Sequence, residues 1–244
     1  MKTYSYPFVI LLLSFIGLNR TKAQIGEARN DFVVGVNGGI CLNTVSFDPT
    51  IKQGMHSGIT TGLTFRYTSE KYFKTLCSIQ VELNYAQLGW KEEIMNSRDE
   101  KLPDTYQRNM NYIQLPMMAR LGWGKENRGL LFYILAGPQI GFCLGESSEQ
   151  SNEWTLNGEG NPDRPNNMYA QYDMAIKNKF DYGITAGLGL ELNTGIGHFT
   201  LEGRYYYGLS DLFGNAKKDV FSRSANGAIY AKIAYLINVG KGNR

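Results

Sequence analysis

The chain has 244 residues, of which 43% are hydrophobic, 13% aromatic and 19% charged, with a formal charge of +3 at pH 7. That length suits one sizeable domain or two small ones, and 28 glycines and 16 tyrosines beside only 7 prolines argue for a β-rich chain, excluding a disordered segment or a coiled coil. The positive excess sits at the start: residues 1–23 hold Lys2, Arg20 and Lys22 and no acid, so the remainder carries 22 bases against 22 acids and gives no case for nucleic acid or an acidic partner.

Residues 1–23 read as a Sec signal peptide, with an early Lys2, an apolar run from Pro7 to Leu18 and a small residue, Ala23, at the end. The run is short for a spanning helix, so cleavage after Ala23 is expected, leaving 24–244 as one domain. No cysteine follows the run, which argues against a lipid-anchored lipoprotein. Beyond it no stretch approaches 18 apolar residues, so no second transmembrane helix is expected.

From there a two-residue period dominates, the mark of strands with two unlike faces. Residues 31–42 place Phe32, Val34, Val36 and Ile40 on one face, and 57–69 place Ile59, Leu63, Phe65 and Tyr67 there, with Arg66 opposite. In 75–89 the apolar set is Cys77, Ile79, Val81, Leu83 and Tyr85, with Glu82 opposite. In 111–123 it is Ile113, Leu115, Met117, Ala119, Leu121 and Trp123, with Arg120 opposite. Residues 130–143 follow with Phe132, Ile134, Ala136, Ile140 and Phe142, although Leu131, Tyr133 and Leu135 blur the alternation. The clearest pair is 180–192 and 199–209, a hairpin across "NTGIG" whose polar faces carry Asp181, Glu191, Glu202 and Arg204. Residues 227–239 give Ile229, Ala231, Ile233, Tyr235, Ile237 and Val239, with Lys232 opposite.

Eight such strands, most long enough to cross a bilayer when tilted, alternate with short turns (70–74, 124–128, 194–197) and long polar links (43–56, 90–110, 144–178, 210–226). The pattern predicts an all-β fold: an eight-stranded antiparallel up-and-down transmembrane β-barrel in the outer membrane, with short periplasmic turns and long extracellular loops. A soluble up-and-down barrel of the lipocalin kind is the alternative. The charges favour the membrane form: the polar faces hold four bases and four acids (Arg66, Glu82, Arg120, Asp181, Glu191, Glu202, Arg204, Lys232) among Gly and Thr. So few balanced charges suit a narrow, side-chain-filled lumen in which they pair. Pro116 and Pro138 cannot donate to a ladder, which predicts a bulge or a gap in the wall beside them. Aromatics near strand ends (Trp90, Trp123, Tyr67, Tyr72, Phe73, Phe142, Phe180, Tyr182, Phe199, Tyr207) read as membrane-interface belts.

Chemistry is scarce. Cys41, Cys77 and Cys143 form no CxxC and no Cys/His cluster, so they read as core or lipid-facing thiols with no structural zinc. His56 and His198 fall at opposite ends of the predicted barrel, and His56 beside Ser57 makes no triad, so no enzyme, catalytic residue, metal or cofactor is expected. The third long link is too long for a mere connection, and its Trp154, Tyr169 and Tyr172 are candidate anchors for a partner.

Five segments in order, "VELNYAQLGWKEE" (81–93), "NYIQLPMMARLGW" (111–123), "YILAGPQIGF" (133–142), "DYGITAGLGLEL" (181–192) and "LEGRYYYGLSDLF" (201–213), resemble the PorT-like outer-membrane β-barrel proteins of Bacteroidetes. The match rests on Tyr112-Ile113 before Leu115-Pro116, on Ala136-Gly137-Pro138, and on Gly187 with Gly189. The chain departs from many outer-membrane barrels in following its last strand with "GKGNR" in place of a terminal aromatic. The resemblance implies a structural or accessory component supporting protein export by type IX secretion, with outer-membrane lipid and other secretion or envelope proteins as partners and no nucleic acid. The alternatives are a surface binding protein that uses its loops for adhesion or ligand capture, and a narrow channel.

Overall fold

The computed structural model describes residues 26–165 and 168–240; the signal-peptide reading of 1–23 lies outside them. Among the described residues the sheet has nine strands: β1 (Gly26–Asp48), β2 (Gln53–Gly54), β3 (His56–Tyr72), β4 (Thr75–Glu92), β5 (Tyr106–Gly124), β6 (Gly129–Gln150), β7 (Phe180–Asn193), β8 (His198–Gly208) and β9 (Arg223–Gly240). Eight of them close a ring, each antiparallel to the next, because β4 pairs with β5 and β1 with β9. The ninth, β2, is a two-residue strip on the outer end of β4. Closure removes free edges, so every wall strand has two partners.

The outside of the ring is apolar. Ile40, Ile59, Ile79, Ile184, Leu188, Leu201 and Ile233 are all more than half exposed, which in water would be an aggregating surface and in lipid is the resting state. Two aromatic girdles flank this band. Tyr72 and Phe73 (ring centroids 4.7 Å apart), Trp123 with Phe132, and Phe199 with Tyr235 ring the short-turn end; exposed Phe142, Phe180, Tyr182 and Tyr207 ring the other. Trp90 is a correction. It is fully buried inside the barrel, for it shares the inward parity of Glu82 on β4 and never reaches lipid.

The wall runs farther outward than its periodicity suggests. β1 continues to Asp48 against Arg223, and β6 to Gln150 against Tyr106. The segment Ser147–Gln150 is exposed on both faces, so water on each side leaves no alternation to read, and the partner strand alone holds it extended. The two prolines interrupt the ladders. Pairing of β4 with β5 skips from Val81/Met117 to Asn84/Gln114, and pairing of β5 with β6 skips from Pro116/Gln139 to Ala119/Ala136. Each gap lies beside one proline, where a donor is missing.

Inside, one apolar cluster caps the polar lumen and a second lies among its charges. The larger fills the outer mouth with Phe47, Trp90, Tyr106, Phe213 and Phe221. The smaller comprises Met118, Leu131, Tyr133 and Leu135. Its β6 members are the residues that blur the alternation in the sequence: in this half of the lumen the inward face is apolar as well.

Candidate functional site

Each wall strand sends alternate side chains inward, so charges far apart in sequence meet across the lumen. The structure places all eight predicted lumen charges inside, none more than 5% exposed, and divides them among three levels. Toward the short turns, Glu191 of β7 takes both Arg66 of β3 and Arg120 of β5; Arg66 Nη2 donates to Glu191 Oε1 at 3.1 Å. His198 Nδ1 lies 2.8 Å from the same oxygen. The Arg120 guanidinium also sits 3.7 Å from the centre of the Tyr133 ring, a cation–π contact that spreads its charge. A cavity of about 80 Å³ borders this cluster. Below it, the turn residue Glu126 accepts from Arg29 Nε at 2.9 Å and pairs with Lys71 at 2.6 Å. Burial alone would raise the Glu126 carboxyl, but the hydrogen bonds from Lys71 and Arg29 hold it below the usual carboxylate range.

At mid-height Glu82 is the hub. Arg204 donates to both of its oxygens, at 2.9 and 2.5 Å, Lys232 Nζ to Oε2 at 2.7 Å, and Gln80 and Asn84 fill the remaining positions at 2.8 and 2.9 Å. Glu202 pairs with Arg204 and accepts from Tyr133 Oη at 2.6 Å. The level is neutral, two acids against two bases. The third level holds Asp181 alone, accepting from Ser210 and from Asn226 Nδ2 at 3.2 Å, with Gln114 and Tyr230 hydrogen-bonded just inside. The first level carries one more base than acid and Asp181 balances it, so these eight charges sum to zero.

Room for these long side chains comes from glycines across the β7–β8 hairpin: Gly187 faces Arg204 and Gly189 faces Glu202. A Cβ on Gly189 would lie 2.4 Å from the Tyr133 ring and 2.5 Å from its hydroxyl. Gly189→Ala should therefore displace Tyr133 from Glu202 and lower stability by about 1–3 kcal/mol. The check is the temperature at which the folded, heat-modifiable gel band disappears; an unchanged temperature would sever the link between this glycine and the network.

The outer mouth is closed by the loops, and Trp154, Tyr169 and Tyr172 all pack on its aromatic cluster, Trp154 and Tyr169 keeping part of their surface exposed. Tyr172 is buried, stacked 4.7 Å from the Trp154 ring and 4.6 Å from Tyr106 of the wall, and Tyr169 packs half-buried on the same cluster. The Tyr172 hydroxyl accepts from Arg164 Nε at 2.9 Å and donates to Glu92 at 2.8 Å, while Arg164 also pairs with Asp104 at 3.1 Å. Burial, and then the neighbouring Glu92 charge, push the Tyr172 hydroxyl well above its ordinary value, so it stays a donor. From the 209–222 loop, Phe213 and Phe221 fall into the mouth against Phe47 and Trp90. Sequence reasoning missed Arg108, which reaches Tyr106, Glu146 and the carbonyls of Gln171 and Met174; its even numbering, shared with the inward Arg120 of the same strand, is the signal that marks it. The two histidines stand at opposite ends: His56 with Asn109 near the mouth, His198 at the short turns. All three cysteines are free, Cys41 and Cys143 buried and Cys77 half-buried.

Among solved structures the chain is similar to three outer-membrane barrels. The attachment invasion locus protein Ail of Yersinia pestis is 12% identical, with 86% of this chain and 99% of that one covered and a TM-score of 0.35. Neisserial surface protein A is 11% identical over 86% and 99%, with a TM-score of 0.43. OprG of Pseudomonas aeruginosa is 14% identical over 87% and 98%, with a TM-score of 0.37. No curated relative matches. The family model described as "Outer membrane protein beta-barrel domain" matches residues 22–214, which is all of the wall except β9, the strand that closes the ring. On that match the chain belongs to the outer membrane protein beta-barrel domain family.

Proposed function

We propose that this outer-membrane barrel is a non-enzymatic protein that works through contacts at its ends and passes no solute. The observation that carries the reading is the obstruction of the lumen at successive heights, by the Glu191 cluster, the Glu82 cluster and the aromatic mouth. In planar bilayers the purified protein is expected to give no single-channel steps; regular conductance would overturn a closed lumen. The finer reading is that of a PorT-like structural or accessory component supporting protein export by type IX secretion. It is supported by the ordered motif set at 112–116, 136–138 and 187–189. Deleting the gene tests it: secreted cargo should accumulate in the periplasm, and normal secretion would sink the export role.

One observation favours a second reading, surface capture of a ligand. The loops do not merely seal the mouth; residues 50–52, 92–95 and 99, with Arg164, Pro165, Met168 and Gln171, leave a walled depression on the extracellular side. A deletion strain that secretes normally but loses adhesion or uptake would select this reading over the first.

A further inference from the structure

We propose that the extracellular depression is a binding site for a small organic amine: an ammonium group on a compact apolar body. The inference rests on the surface-capture reading and names its ligand class. The cavity measures about 330 Å³, at the lower end of small-molecule sites. Its walls are apolar, formed by Ile51 from the first loop, Ile94 and Met95 from the second, and Met168 from the third. The polar lining divides between the buried Glu92, Arg164 and Gln171 and the exposed Thr50, Lys52, Glu93 and Asp99. Glu92, 7% exposed, accepts from Trp90 Nε1 at 3.3 Å, Gln171 Nε2 at 3.3 Å and Tyr172 Oη at 2.8 Å. Among the described residues no cationic nitrogen lies within 4.0 Å of its carboxylate.

Arg164 also lines the cavity but is committed elsewhere, with its three nitrogens on Tyr172, the Asp163 carbonyl and Asp104. Gln171, 1% exposed, lines the cavity too, and its Oε1 has no donor. The floor thus offers a buried carboxylate with no direct ion pair, which Arg164 reaches only through the Tyr172 hydroxyl, beside an amide oxygen without a donor; an ammonium N–H group would serve both. At the rim Glu93 and Asp99 outnumber Lys52, all three exposed, which adds attraction for a cation. A bare metal ion fits poorly: it requires a shell of oxygens, and here the walls supply methyl and thioether groups. An ammonium with an apolar body satisfies floor and walls together.

The test uses the full barrel in lipid nanodiscs and isothermal titration with phenethylamine, its neutral analogue phenethyl alcohol, 3-phenylpropionate and calcium. Phenethylamine should bind saturably at one site, at least tenfold tighter than the alcohol, with no binding of the acid. Glu92→Gln should weaken the amine at least tenfold and leave the alcohol unchanged. Should that variant fail to show a heat-modifiable band, Ile51→Trp, which fills the cavity from a half-buried position, should abolish amine binding with the barrel intact. Equal binding of amine and alcohol, preference for the acid or for calcium, no binding at all, or amine binding that survives Ile51→Trp would each overturn the proposal. A deletion strain that loses adhesion or uptake, beside a purified barrel that binds no amine, would keep the surface-capture reading and remove this ligand class alone, so the two fail separately.

Discussion

Arg204→Met should cost the barrel about 3–5 kcal/mol, the usual loss when one partner of a buried pair is removed. Arg204 is the shared partner of two carboxylates: it donates to both oxygens of Glu82 and pairs with Glu202 on its own strand. Without it Glu82 keeps Lys232 at 2.7 Å, but Glu202 retains only neutral donors, Tyr133 and Gln80. The lumen then holds a buried negative charge with no counter-ion. Joining Glu202→Gln to Arg204→Met removes that charge while keeping the Glu82–Lys232 pair, so the double variant should recover most of the loss. The readout is the temperature at which the folded band converts to the unfolded one in semi-native electrophoresis. If the two substitutions instead add, the charges at this level are independent and the reading of Glu82, Arg204, Glu202 and Lys232 as one network is wrong.

That network shows which parts of the molecule a sequence exposes. The inward set was legible because the strand period is two: once Ile184, Leu188 and Leu190 point outward, Asp181 and Glu191 point inward whatever their partners. The facing of Gly187 with Arg204 and of Gly189 with Glu202 was legible too, since a four-residue turn fixes the register of one hairpin. Partner choice was not. Arg66 and Glu191 are 125 positions apart, and Lys232 and Glu82 are 150 apart. Which of them meet depends on the stagger accumulated around the whole ring, and no local pattern records it. The division into a three-charge level, a neutral four-charge level and a solitary Asp181 follows from that stagger.

The outer mouth was the least legible part, for a different reason. The 151–179 loop has no periodicity, so nothing in it distinguishes a ring held out to solvent from one folded back. Trp154, Tyr169 and Tyr172 carry the composition of a contact surface, and the structure commits them to the cap. Trp90 was open to a better reading. Strand ends suggest a membrane girdle, but counting by twos from Glu82 reaches 84, 86, 88 and 90, all inward.

The placement of Trp90 gives the second large effect. Its ring lies 5.3 Å from Phe47, 6.2 Å from Tyr106 and 6.3 Å from Phe213, with the Arg108 guanidinium 5.3 Å from its centre. Trp90→Ala removes the side chain on which four neighbours rest, a loss of about 3–5 kcal/mol for a buried aromatic. The loss should fall on the cap and spare the ring, because those neighbours hold the 209–222 loop and the Arg108 contacts to the third loop, while the mid-height charges lie below them. Chymotrypsin added to intact cells reads the difference. In the parent protein Phe213, Phe221 and Tyr172 are buried and should resist cleavage; in the variant cuts after these three should appear, with the heat-modifiable band of the barrel retained. Trp90→Phe, which keeps an aromatic in the cluster, should give intermediate protection. A tryptophan facing lipid would show none of this, since its removal would leave the loops as protected as before. An unchanged cleavage pattern in Trp90→Ala would return the residue to the girdle and take away the aromatic plug as the seal of the extracellular mouth.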